Sequence, residues 1–273
     1  MITLRPKGPF AIPLEGEVIS PDAMAGRSLS DIGRLPLVQG NAEAPLEEFF
    51  TVDGEADDVI RIDGDCSTVK HIGRGMTRGR IEILGHAGMH VGAEMRGGEI
   101  VVHGSAGDWA GAEMRGGLLR ILADAGHMLG AAYRGSEKGM RGGTILVTGN
   151  VGNEAGRAMR RGLIAVGGAA GDFTGAMMIA GTVVVMGEIG IRTGAAMKRG
   201  TIIACRGNGT TPALLPTFRL DCTYRPPWVE VYLRQLGRLG FAIPEALHGG
   251  LYRRYSGDLT ELGKGEILVW TSA

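Results

Sequence analysis

Five cations recur at one position of a repeated phrase. Arg96, Arg115, Arg141, Arg160 and Lys198 each directly follow a methionine, and Arg78, Arg161 and Arg199 sit one place further along in three of the phrases. A row of guanidinium and ammonium groups binds carboxylates or phosphates, and it is tolerable in water because unit charges about 5 Å apart repel by only ~0.8 kcal/mol before counterions act. Two readings stay open: the row holds an acidic ligand chain or partner surface, or it is a solvated edge with Glu94, Glu113 and Asp108 as local counter-charges.

The other reactive residue types point away from catalysis. His86, His90, His103 and His127 lie close in sequence, but on a 19-residue register His86 shares its column with Ser105 and Asp124, and His90 with Trp109 and Met128. A surface or core role is therefore expected for them, not a metal site. The three cysteines, Cys66, Cys205 and Cys222, show no C-x-x-C spacing, so no zinc or iron–sulfur signature is present and reduced thiols are expected. No G-x-S-x-G, H-E-x-x-H or Walker sequence occurs, and Gly263-Lys264-Gly265 lacks the rest of a phosphate loop. No catalytic residue and no metal ligand is assigned.

The elements that would position the cations come from a repeat. Met76, Met95, Met114, Met140, Met159, Met178 and Met197 are each followed three residues later by glycine, in steps of about 19 residues except one of about 26, with a seven-residue insert near Tyr133 to Gly139. β-Branched runs such as Ile81-Glu82-Ile83 and Val183-Val184-Val185 supply one strand per unit. A comb of the form Gly-x-x-Gly-x-x-x-Gly follows, and glycine at that density opposes a helix by about 1 kcal/mol per residue. The expected fold is an all-β solenoid, a right-handed β-helix of about seven 19-residue glycine-rich rungs with short α-containing ends. At roughly 4.8 Å per rung the rod would be about 30 Å long. In it the methionines would fill the core as adaptable thioethers, the rival being a soft-metal site without the cysteine or histidine column such a site needs.

The expected division is an arm at 1–56, repeats at 57–206 and a C-terminal capping segment at 207–273. The arm has a short helix near Ser28 to Ile32. In the last segment, Pro226-Pro227 precedes Trp228, Val229, Tyr232, Leu233, Leu236 and Leu239 at helical spacing, a helix placed to cap one end, before a strand at Glu266 to Trp270. Zero net charge and 5% aromatic content argue against a nucleic-acid protein. Neither a signal peptide nor an apolar run of about 20 residues is present, so a cytoplasmic protein is expected.

The phrases GHAGMHVGAEMRGG (Gly85 to Gly98) and GSAGDWAGAEMRGG (Gly104 to Gly117) carry a resemblance. So do Ala131 to Ser136, Leu214 to Phe218, Glu17 to Pro21, Tyr252 to Asp258 and Gly263 to Ile267. Together they resemble the C subunit of formylmethanofuran dehydrogenase and of its bacterial relative, the formyltransferase/hydrolase complex, over nearly the whole chain. The repeats alone are also similar to the C-terminal β-helix of the glutamate synthase large subunit, which implies fold and not activity.

The resemblance implies a non-catalytic subunit in one-carbon metabolism, within a hetero-oligomer of A, B and D partners that takes part in formaldehyde oxidation. There a formyl group would pass from formyl-tetrahydromethanopterin to a methanofuran-type carrier and be hydrolysed to formate. The chemistry, and zinc, would belong to partner subunits. The alternative is the C subunit of a molybdenum or tungsten formylmethanofuran dehydrogenase. Five lysines against 24 arginines favour the bacterial complex over a lysine-rich methanogen. An alternative of another class is a free-standing β-solenoid binding module. Because such carriers have acidic glutamyl tails, Arg96, Arg115, Arg141, Arg160 and Lys198 would be the carrier-tail or partner-docking stripe.

Overall fold

The computed structural model describes residues 1–55, 57–206 and 212–271, so the expected boundaries at 56 and 207 fall beside positions outside the described residues. The described elements are mostly β. In order they are β1 (Ile2–Pro6), β2 (Leu14–Glu15), α1 (Pro21–Met24), α2 (Leu29–Gly33), β3 (Pro36–Gln39), β4 (Ala42–Pro45), α3 (Leu46–Phe49), β5 (Phe50–Gly54), β6 (Val59–Ile62) and β7 (Val69–Lys70). The repeats supply β8 (Arg80–Ile83), β9 (Glu99–Val102), β10 (Leu118–Ile121), β11 (Arg141–Val147), β12 (Arg161–Val166), β13 (Thr182–Val185) and β14 (Thr201–Ala204). The chain continues with β15 (Arg219–Tyr224), α4 (Pro227–Arg238), a single 3₁₀ turn at Glu245–Leu247, β16 (Leu251–Gly257) and β17 (Gly265–Thr271).

One 13-stranded sheet runs β15-β16-β17-β14-β13-β12-β11-β10-β9-β8-β6-β1-β5 and is not closed into a barrel. From β6 to β14 every pairing is parallel. Arg80 lies opposite Glu99 and Leu163 opposite Thr182, an advance of one repeat each time, while the insert makes the longer step from Leu118 to Thr144. A second ladder of single parallel bridges joins Cys66, Ala87, Ala106, Ala125, Val151, Ala170 and Ile189. Each unit therefore hydrogen-bonds to the next on two sides of the same loop of chain, which satisfies buried backbone groups that a lone unit would leave unpaired.

Side-chain alternation then fills the inside. Ile81 and Ile83, Ile100 and Val102, and Ile202 and Ala204 point inward and are buried, as are all seven repeat methionines. The methionine and glycine ladders share a spacing for a steric reason. At Gly98, with φ +77, a Cβ would lie 2.5 Å from the Met76 methyl of the preceding unit and 2.7 Å from the Gly79 carbonyl oxygen. Gly117 stands in the same way to Met95, and Gly162 to Met140. Each thioether tucks its methyl under the glycine of the next unit.

The outward positions change along the sheet. Arg61, Glu82, Val101 and Arg120 give way to the wholly apolar Leu146, Ala165, Val184 and Ile203, and on this apolar stretch α4 lays Val229, Leu233 and Leu236, one stripe at helical spacing. The helix thus covers the face of the sheet and not its end, as the sequence had suggested. The edge of β14 is covered instead by β17, paired in parallel with Thr201 opposite Glu266. At the other end β1 covers β6 and is backed by β5.

Candidate functional site

The turns after each inner bridge place two further columns on one face of the molecule, both in the left-handed region. The first holds His71, His90, Trp109, Met128, Glu154, Phe173 and Arg192, and the second includes Glu94, Glu113, Ala158, Met177 and Ala196, with φ between +52 and +64. Amide-to-carbonyl bonds one unit apart, such as His90 to Asp108 and Phe173 to Ile191, align them.

The first three rings of the first column stack. His71 and His90 have centroids 4.4 Å apart and nearly parallel planes, and Trp109 continues the stack at 5.5 Å from His90. Tyr133, from the insert, tilts over His90 and brings its hydroxyl 3.2 Å from Nδ1. Burial, then the charge that His71 would carry, drives the His90 pKa down to about 4, and burial also lowers that of His71. Both rings are therefore neutral near pH 7. His71 Nδ1 and Trp109 Nε1 are buried without a hydrogen-bond partner among the described residues. The stack was only half visible in the sequence: the signal missed is His71, one 19-residue step before His90.

The other three histidines of the sequence cluster act on the backbone or at the surface. His86 Nδ1 accepts from the Ser105 amide, and His127 Nδ1 from the Asn153 amide. Asp108, Asp124, Asn150, Asn153 and Asp172 accept the amide of the next unit with Oδ1 in the same way. These side chains extend the ladder between units. His103 pairs through Nε2 with Glu82 at 3.1 Å. No group of three or more His, Cys, Asp or Glu among the described residues is disposed to hold a metal ion. Cys66 and Cys205 are buried and their thiol pKa values are pushed up to about 12 by that burial, so neither supplies a thiolate near neutrality.

The predicted cations do come together in one column, in successive units except that Ile179 stands between Arg160 and Lys198. The amides of Arg96, Arg115, Arg141, Arg160 and Lys198 donate to the carbonyls of Met76, Met95, Met114, Met140 and Met178. Thr77 and Ile179 occupy the two remaining positions. Thr77 is taken up by Asp22 of the arm, whose carboxylate accepts the Thr77 amide at 2.8 Å.

The charges are not equivalent. Arg96 and Arg115 are exposed, with no side-chain hydrogen bond or ion pair within the described residues. Arg141 lies 3.9 Å from Glu113, Arg160 donates to the Glu137 carbonyl at 3.4 Å, and Lys198 lies 3.8 Å from Glu261. The Nε groups of Arg141 and Arg160 are buried and unpaired among the described residues. Chemically the stripe can bind anions. It offers no nucleophile and no general base of its own.

No family model matches the sequence. The C subunit of molybdenum-containing formylmethanofuran dehydrogenase 1 from Methanosarcina barkeri is 46% identical over 93 residues, 32% of this chain and 31% of that protein. Its counterpart in tungsten-containing formylmethanofuran dehydrogenase 2 from Methanothermobacter thermautotrophicus is 42% identical over 93 residues, 32% of this chain and 34% of that protein. The chain thus matches about a third of the length of these curated relatives. A chain in the crystal structure of the formyltransferase/hydrolase complex (FhcABCD) from Methylorubrum extorquens in complex with methylofuran is 36% identical, with a TM-score of 0.91, over 98% of both chains. With identity and backbone sustained end to end, the chain belongs to the family of the C subunits of the formyltransferase/hydrolase complex and of formylmethanofuran dehydrogenase.

Proposed function

We propose that this chain is the non-catalytic C subunit of a hetero-oligomeric formyltransferase/hydrolase complex, assembled with A, B and D subunits. The complex would transfer the formyl group of formyl-tetrahydromethanopterin to a methanofuran-type carrier and hydrolyse it to formate. The observation that carries the reading is the likeness to FhcABCD over 98% of both chains, where the dehydrogenase relatives match about a third. The histidine ladder and buried thiols also support a scaffold, because they commit the reactive residue types to structure. On this reading zinc belongs to a partner, and the units form a right-handed β-helix (57–206) between an arm (1–56) and a C-terminal capping segment (207–273). Two parallel ladders offset by one repeat support that helix.

Arg96, Arg115, Arg141, Arg160 and Lys198 form, in this proposal, a stripe for the acidic tail of the carrier. Exposed Arg96 and Arg115, free of internal ion pairs among the described residues, are its strongest part, and the neighbour was solved with methylofuran. The second reading, in which the chain serves a molybdenum or tungsten dehydrogenase, is favoured by the 46% identity over 93 residues.

One purification tests both. The tagged chain, isolated from its native cells, should bring three partner subunits with zinc and neither molybdenum nor tungsten. Either of those metals moves the assignment to the dehydrogenase, and recovery of the chain alone rejects the reading as a subunit. In the same complex, Arg96→Gln with Arg115→Gln should raise the apparent KM for the carrier, and an unchanged KM with intact assembly removes the stripe.

A further inference from the structure

The face that carries the two left-handed columns is covered by the protein's own chain over its first part. Strand β2 of the arm pairs in parallel with β7, and this sets Glu15 3.0 Å from Lys70 and 3.3 Å from His71. Glu17, two residues on, pairs with Arg74, which also binds Glu94 at 2.8 Å. The cover here is an extended acidic segment over ring and arginine side chains. One step further, the insert lays Tyr133 on His90.

Beyond the insert the same columns continue with Met177 and Arg192 exposed, while at the last unit the Asp258 carboxylate accepts the Ala196 amide at 3.0 Å. Phe173 and Arg192 occupy the positions of His71, and Arg157, Ala176 and Ala195 those of Arg74. They form a cleft of about 590 Å³ whose lining includes Arg134, Arg157, Phe173, Met177, Ala195 and Ala196. Its floor is apolar, with Met177 44% exposed and neighbouring Ile191 54% exposed. Its charge is positive. Arg134 has no ion pair or hydrogen bond within the described residues, Arg192 stands over the Phe173 ring at 5.3 Å, and the lining carboxylate, Glu154, is 3.3 Å from Arg157.

We propose that this cleft docks an extended acidic segment of a partner protein of the complex, which seats an apolar side chain on Phe173 and Met177 and carboxylates on Arg134 and Arg157. The segment extends beyond the insert, over Phe173 and Met177, the cover that Glu15 and Glu17 give the first units, with the same chemistry. This rests on the reading of the chain as a subunit. Arginine rims opposite acidic partners set register and speed association, while the apolar floor supplies the buried contact.

The test uses the full chain co-expressed with its A, B and D partners. A benzophenone side chain replacing Met177 should cross-link, in the assembled complex, to a partner peptide with Asp or Glu within a few residues of the linked site. An assembled complex that gives no partner cross-link, or one to a peptide without acidic residues, overturns the proposal. In parallel, Arg134→Glu with Arg157→Glu should lower retention of one partner roughly tenfold or more, with the isolated variant melting within a few degrees of wild type. Wild type that retains no partner rejects the underlying reading of the chain as part of a complex. If wild type retains its partners and the variant retains them equally, this inference alone falls, as it does if the variant keeps every partner and loses only the furan carrier.

Discussion

Gly98 shows how much one missing Cβ decides. Its φ of +77 and the 2.5 Å approach that a Cβ would make to the Met76 methyl mean that alanine there meets two costs at once. Left-handed backbone costs an L-residue about 1–2 kcal/mol, and crowding a packed interior about 1–3 kcal/mol. Gly98→Ala is expected to destabilise the fold by on the order of 3 kcal/mol in a denaturant titration, whereas Gly135→Ala, also at positive φ but with nothing within 4 Å, should lose only the backbone part. Equal losses at the two sites would mean that the contact with methionine carries no weight. The pairing of methionine with glycine was legible in the sequence as a spacing. Its reason, a methyl reaching into the next unit, was not, because the two partners are a full repeat apart.

At the scale of an element, the stacked column His71, His90, Trp109 couples three units and the insert. Its rings are held neutral: burial lowers the His90 pKa from 6.5 to about 4, with the potential charges of His71 and Lys70 adding to the effect and Glu15 opposing it. The unfolded chain therefore binds more protons than the folded one between those values, so this contribution is complete above about pH 6.5 and is lost as pH falls toward 4. Melting temperature should drop between about pH 7.5 and about pH 5, and the drop should be smaller in His90→Gln. An equal drop in both proteins would assign the effect to other groups. The 19-residue register was enough to put His90 with Trp109, and the same register would have added His71. Tyr133 could not be placed, because the insert has no counterpart in other units from which to infer its path.

For the whole molecule the two ends of the sheet and its apolar outer face set the limits of stability. The segment after β14 supplies both the strand that covers the β14 edge and the helix that covers Leu146, Leu163, Val184 and Ile203. A chain ended at Arg206 would expose an unpaired strand edge beside a row of branched apolar side chains, a combination that templates aggregation. Such a truncation is expected to be insoluble or to scatter light strongly at concentrations where the full chain is clear, and a soluble monomer would show that the segment is dispensable. The amino-acid sequence by itself determined the repeat, its strands, the buried methionines and the row of cations, since each is a periodic pattern that parallel stacking converts into a column. The tertiary structure alone decided which distant segments cover those columns. It placed α4 on the sheet face and β17 on the edge, and brought Glu15 and Glu17 to His71 and Arg74. Local periodicity fixes what faces inward within a unit, whereas cover depends on where a non-repeating chain can reach and on the apolar area and charge it meets there.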